Sequence, residues 1–486
     1  MKLTVFQSDK GDCLLLTSKD SKTLMSDGGM SNAYTDHVAP MWQQLKLKSL
    51  DVVYVSHIDS DHISGILRMV NDLADWRVFD FKGGKQPKSF RPPEIKELWH
   101  NAFHQQVGDN EGKIEDMLAA NAVVLSADDK NSASQLMMQG FQNLITSKTE
   151  AINLSNRVSP KQLNIPLNRP AKGKLMMVRD NKKKTIKLGS LSISLLGPYE
   201  EDLNNLRDEW NKWLKENQKT IKEIQQKAKD DEGRFATNEI GNVGASMVSE
   251  SEMLREFQLE QMTDKLKELE TETRKRLKKL QDDKAPSPLS RFEEDRLSRI
   301  SDLMQSAEPD FALAEKVLGL RDKVTTPNLA SLMLLVTEGA GAKKKTLVLT
   351  GDGHAREILK GLKLYMKPDK KTGRIRLDVL KVQHHGAENN IDTDFCQQVV
   401  ADIYIFCGNG EHKNPDLDVL KLIFDSRMIP GDSGNFKFWF NSSSKATEGD
   451  KTHMKKVETL VSQLQAKSNG RLTLEFLDDH SFELSI

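Results

Sequence analysis

The stretch Asp51-Val-Val-Tyr-Val-Ser-His57-Ile-Asp59-Ser-Asp61-His62-Ile-Ser-Gly65 decides how this chain is read. Its first half is an apolar, β-branched run bounded by Asp, the pattern of a buried strand, and a helical pattern follows over 66–75. Between the two lie four imidazole and carboxylate donors, His57, Asp59, Asp61 and His62, within six residues. A strand-to-helix turn splays successive side chains around one point. A divalent cation there offsets the cost of gathering two carboxylates and two imidazoles. A polar loop with no ion to hold has no need of that density.

The composition limits what surrounds this motif. With 486 residues, two or three folding units are expected. Basic and acidic side chains balance at 71 each, which excludes a globally basic nucleic-acid coat and an acidic tail protein. A polyanionic partner must therefore be gripped by a local patch. Cys13, Cys396 and Cys407 share no metal-ligand spacing and are too few for a disulfide framework, so a cytoplasmic setting is expected. No apolar run reaches about 18 residues, so no membrane span is expected. The opening residues read as a strand, not an export signal.

A 29% charged content is high, and it concentrates in 201–325, where roughly two fifths of the residues are charged. Leu203, Leu206, Trp210, Trp213, Ile221 and Ile224 form one narrow apolar seam. Leu259, Met262, Leu266, Leu269, Thr273, Leu277 and Leu280 form a second. Such seams on charged helices predict an antiparallel hairpin or short coiled coil, an arm protruding from the rest. Ala285-Pro-Ser-Pro-Leu-Ser290 breaks the second helix, and Ser290 with Glu293 forms a capping-box signature for a third. On both flanks short strands alternate with helices, which predicts one α/β domain interrupted in mid-chain. The expected segments are 1–105 (first half of the core), 106–200 (an elaboration), 201–325 (the charged insertion) and 326–486 (second half of the core).

The motif resembles the His-x-His-x-Asp-His signature of metallo-β-lactamase-fold hydrolases, with Asp59 where the second His usually stands. That variant looks like the ComEC-like subgroup, the hydrolase domain of a competence protein and its relatives. Five further segments are similar to that group in the right order. They are Gln7-Ser-Asp-Lys-Gly-Asp12, Met25-Ser-Asp-Gly-Gly29, Asn328-Leu-Ala-Ser331, Leu349-Thr-Gly-Asp352 and Leu380-Lys-Val-Gln-His-His-Gly386. The resemblance implies an αββα sandwich and two divalent ions, Zn²⁺ or Mn²⁺. Carried over by position, it gives His57 and Asp59 to one ion and Asp61, His62 and His385 to the other, with Asp352 bridging. His384 is the alternative to His385 as ligand, or the group that donates to the leaving group. Asp61 and His384 are the catalytic candidates. A third His for the first ion is sought at His100 or His104, an i, i+4 pair on a supposed helix face, and His354 and His412 are outer candidates.

Two ions suit in-line displacement at phosphorus, so the leading expectation is a phosphodiesterase or nuclease acting through a metal-activated water. The alternatives are a metal hydrolase of a small ester, amide or phosphoester, and a scaffold that docks a protein partner through the helical arm. By analogy, a partner-dependent bacterial defence effector would combine the first and the last. Nucleic acid is then the expected substrate, with Lys182–Lys184 and Arg274–Lys279 among the basic clusters available to it.

Overall fold

Short apolar runs bounded by Gly, Asp and Pro become strands, and the face each run buries assigns it to a layer. In the computed structural model, residues 1–101, 150–151, 153–201, 204, 266–284, 287–305 and 331–486 are described. The first strands are β1 (Lys2–Phe6), β2 (Leu14–Thr17), β3 (Thr23–Ser26), β4 (Ser49–Leu50), β5 (Val52–Val55), β6 (Glu94–Ile95) and β7 (Leu98–His100). After them come β8 (Thr185–Leu188), β9 (Leu191–Gly197), β10 (Met333–Glu338), β11 (Lys345–Leu349) and β12 (Ile375–Lys381). The last are β13 (Val399–Phe406), β14 (Phe436–Phe440), β15 (Leu472–Phe476) and β16 (Ser481–Ser485).

One sheet has the order β16-β1-β2-β3-β5-β7, the other β15-β14-β13-β12-β11-β10-β9-β8, and β4 pairs with β6. Leu3, Val5, Leu16 and Tyr54 of the first sheet meet Ile193, Leu334, Leu347 and Val379 of the second in a shared apolar layer. The outer face of the first sheet is covered by Ser60–Lys82, through Ile63, Ile66, Val70 and Leu73. The outer face of the second is covered by Ala355–Tyr365, Leu417–Arg427 and Lys451–Lys467. Two sheets face to face with helices outside is the expected αββα sandwich, and strands from both sides of the long insertion build it. Among the described residues no helix is long and apolar enough to cross a membrane.

The helical insertion does not stand off from the core where it is described. Residues 266–282 form a helix and Ser287–Gln305 another. Leu266, Thr273 and Leu280, seven residues apart, are its buried positions, and Leu280, Leu289 and Phe292 join the core of the second sheet. Leu203, Leu206, Trp210, Trp213, Ile221 and Ile224 of the other apolar seam lie outside the described residues. The predicted capping box is not formed, because the helix starts at Ser287, ahead of Ser290. Glu293 is instead fully buried, accepting from Thr393 Oγ1 at 2.7 Å and from Arg276 Nε at 3.2 Å. Phe436-Lys-Phe-Trp-Phe440 alternates as a strand should and forms β14.

Candidate metal centre

The candidate residues sit where parallel strands end. Asp27 follows β3, His57 follows β5, Asp352 follows β11, and His384 and His385 follow β12. In open α/β sheets the carboxyl ends of parallel strands leave backbone free to turn, and ligands collect there. The helix Ser60–Lys82 is seated on the loop after β3: Gly28 N donates to His62 O at 2.9 Å and Gly65 N to Gly29 O at 3.0 Å. A Cβ on Gly65 would lie 2.0 Å from Gly28 O, so this approach requires glycine. Asp59 occupies the position preceding the helix, but its carboxylate makes no cap and lies 3.5 Å from His57 Nε2.

Asp352 is the focus. Its Oδ1 lies 3.3 Å from His62 Nε2. Its Oδ2 lies 3.6 Å from His57 Nε2, 3.5 Å from His384 Nε2 and 3.6 Å from His385 Nε2. His385 Nε2 also faces Asp61 Oδ2 at 3.3 Å and His62 Nε2 at 3.4 Å. Each imidazole turns its other nitrogen outward. His385 Nδ1 donates to Cys407 O at 2.6 Å, and His384 Nδ1 meets Asn390 Oδ1 at 2.5 Å. His62 Nδ1 faces Asp27 Oδ2 at 3.3 Å, and His57 Nδ1 meets Ser56 Oγ at 3.0 Å. Fixing the outer nitrogen points the Nε2 lone pair inward, the usual arrangement around a metal-binding His. His384 and His385 both hold left-handed backbone, at φ 47° and 56°, a conformation costly for non-glycine residues and concentrated at functional sites.

The charges in this cluster depend on one another. Burial alone would raise the Asp352 carboxyl, but His384, His62, His385 and His57 outweigh it and hold it well below the ordinary value. Asp61, against the same burial, is held well below by His62 and His385. Burial works against a charged His62, yet Asp352, Asp61, Asp12 and Asp27 push it well above the ordinary imidazole value. His385, likewise opposed by burial, is raised by Asp352, Asp12 and Asp61 to about 9.

The donor set fits divalent ions. Among the described residues three groups could hold one: His57, His62 and Asp352; Asp61, His62 and His385; and Asp12, Asp27 and His62. Among the described residues buried His57 Nε2 and Asp352 Oδ1 make no hydrogen bond, which leaves two metal-ligating atoms facing inward with only ion-pair neighbours. The third group differs, because Lys381 Nζ is ion-paired with Asp12 and donates to Gly351 O at 3.1 Å. That ammonium already compensates Asp12, so Asp12 and Asp27 form an outer shell behind His62 and His385.

The structure thus brings together His57, Asp59, Asp61, His62, Asp352, His384 and His385, residues separated by up to 328 positions. His100 is not on a helix. It ends β7, fully buried, beside Val55 in parallel register, with its backbone N–H held by Asn168 Oδ1 at 2.9 Å. It enters none of the three donor groups, and His104 lies outside the described residues. His354 precedes the helix Ala355–Tyr365 and His412 sits exposed in a turn, neither within those groups. The motif reading missed Asp12, Ser56, Lys381 and Asn390 as parts of the site. Ser56, Asp12 and Lys381 lie inside the quoted motif segments without being assigned a role there, and Asn390 lies outside all of them.

Residues 9–73, which contain Asp12, Asp27 and the whole His57–His62 motif, match the family model of the metallo-beta-lactamase superfamily. No curated protein matches the chain. The fold is the metallo-β-lactamase type of αββα sandwich, and the match together with the His/Asp groups supports a metal-dependent hydrolase.

Proposed function

We propose that the protein is a two-metal phosphodiesterase of the ComEC-like subgroup, with a nucleic-acid strand as its substrate. The observation that carries this reading is Asp352, whose two oxygens face different imidazoles, His62 on one side and His57, His384 and His385 on the other. A carboxylate can serve two ions at once in that position, and an imidazole cannot. His57, Asp59 and Asp352 would hold one ion, and Asp61, His62, His385 and Asp352 the other. With a His, two carboxylates and no second imidazole assigned, the first site is oxygen-rich, which favours Mn²⁺ over Zn²⁺ there. Bound ions would lower the pKa of a water and offset charge developing on a phosphoryl group.

The chain's own residues supply the remainder. Asp61, 20% exposed, and His384, 17% exposed, are the open members of a cluster whose other residues, Asp59 aside, are at most 5% exposed. Asp61 is ionised and can orient a water. His384 has its Nδ1 fixed by Asn390 and its Nε2 toward the centre, the geometry for giving a proton to a departing oxygen. Residues 201–325 would bring the substrate strand or a protein partner.

The test is incubation of the chain with labelled single- and double-stranded DNA and RNA and with a chromogenic diester, each with Mn²⁺ or Zn²⁺. Cleavage of a nucleic acid that His62→Ala lowers by about 10²-fold or more, beyond the usual outer-shell effect, is expected. Turnover of the diester with no nucleic acid cut would move the substrate to a small phosphoester. Cleavage unchanged in His62→Ala would remove the centre from the reaction.

A further inference from the structure

The segment 383–394 carries two of the candidate ligand residues and is tied inward to the centre. Asn390 Nδ2 donates to Asp352 O at 2.8 Å while its Oδ1 meets His384, and Gln383 Nε2 donates to Asn390 O at 3.1 Å. Outward, the same segment is held by the inserted helices. Glu388, 1% exposed and three residues beyond His385, receives both guanidinium arms of Arg299, Nη1 at 2.8 Å and Nη2 at 2.6 Å. Thr393 donates to buried Glu293, which also receives Arg276, and Lys279 pairs with Asp394 at 2.6 Å. Glu388 N also donates to Asp416 Oδ2 at 2.9 Å, which holds the backbone at the same point as the Arg299 clamp. A bidentate pair fixes direction as well as distance, and a buried carboxylate stripped of its guanidinium must move or take a proton.

We infer that Arg299 is a positioning residue for the metal centre, so that the base of the insertion is part of the site's framework and not only a mount for an arm. The two strained residues His384 and His385 share their short segment with an inner strut, Asn390 to Asp352, and an outer clamp, Glu388 to Arg299, both attached within six residues of them. The segment carrying their left-handed backbone is anchored at its start, where His384 N donates to Gly351 O at 3.2 Å, and at its end, where Thr393 donates to Glu293. The inference rests on the metal reading above.

The experiment is Co²⁺ titration of the full chain, followed by the visible absorption of the bound ion and by metal analysis. Arg299→Met, Arg299→Lys and Glu388→Gln are compared with Arg376→Met, which removes an exposed ion pair elsewhere. Arg299→Met is expected to weaken Co²⁺ binding about 10–100-fold and to shift the absorption bands, with Arg299→Lys recovering part of both. Glu388→Gln, which keeps size and an acceptor oxygen, gives the same readout should Arg299→Met fail to fold. A parent chain that binds Co²⁺ while Arg299→Met and Glu388→Gln bind it with parental affinity and spectrum overturns the clamp alone. A parent chain that takes up no Co²⁺ overturns the metal reading and the clamp together.

Discussion

At the residue scale, the centre exchanges protons for ions. In the ion-free chain His385 is raised from 6.5 to about 9, and His62 is also raised, so both are cationic near neutrality. A raised imidazole contributes stability that is complete below its unfolded value and lost as the pH climbs through its folded value. The ion-free chain should therefore lose stability between about pH 6.5 and pH 9. An ion that displaces those protons restores charge balance, so a chelator should lower the melting temperature more at pH 9 than at pH 7, as thermal melts with and without EDTA would show. Equal chelator effects at both pH values would mean that these imidazoles do not face the ion. Asp27→Asn, which weakens the orienting contact on His62 Nδ1, should cost about 10–100-fold in metal affinity by calorimetry.

At the element scale, the motif works because a helix start and a turn touch backbone to backbone. A methyl group at residue 65 would collide with Gly28 O, and one at residue 11 would lie 1.6 Å from Asp61 O. Gly65→Ala should destabilise by about 1–3 kcal/mol in denaturant unfolding. It should also weaken metal uptake, because Asp61 and His62 ride on the turn that must shift. Parental metal affinity in that variant would show that the helix start tolerates displacement. Much of this was legible in advance. The runs at Val52–Val55, Lys345–Leu349 and Ile375–Lys381 announced strands, and the donors followed their carboxyl ends. The place of His100 was not legible, since its i, i+4 spacing to His104 suggests a helix face just after the strand-like Glu94–Leu98, and the strand instead runs on through His100. The role of Glu293 was not legible either. Its spacing from Ser290 satisfies a local capping rule, and only a tertiary neighbour, Thr393, redirects it.

At the scale of the whole molecule, buried charge collects at both ends of the second sheet. The carboxyl ends of β11 and β12 lead to the metal centre. Just before β12 and β15 begin, Asp432 is gripped by Arg374 at 3.1 Å, Arg427 at 2.8 Å and Arg471 at 3.0 Å. Burial would raise the Asp432 carboxyl, but Arg427, the Gly434 amide and Arg374 hold it below its ordinary value. A lowered carboxyl contributes stability that is present above its unfolded value, about 3.9, and lost as pH falls through its folded value. Asp432→Asn should cost about 3–5 kcal/mol near neutrality in chemical denaturation and flatten the acid limb of the stability profile. Metal affinity should stay parental, since this network touches no donor of the centre. A large affinity change would show that the two ends are coupled.

The sequence by itself determined the local order of strands and helices and the residue types offered to an ion, because side-chain periodicity and donor spacing are properties of neighbouring residues. Only the tertiary structure decided that Asp352 stands among His57, His62, His384 and His385, that Lys381 compensates Asp12, and that Arg299 holds Glu388. Those pairings join parts of the chain far apart in sequence. Their distances follow from how two sheets pack and twist together, which no run of adjacent residues encodes.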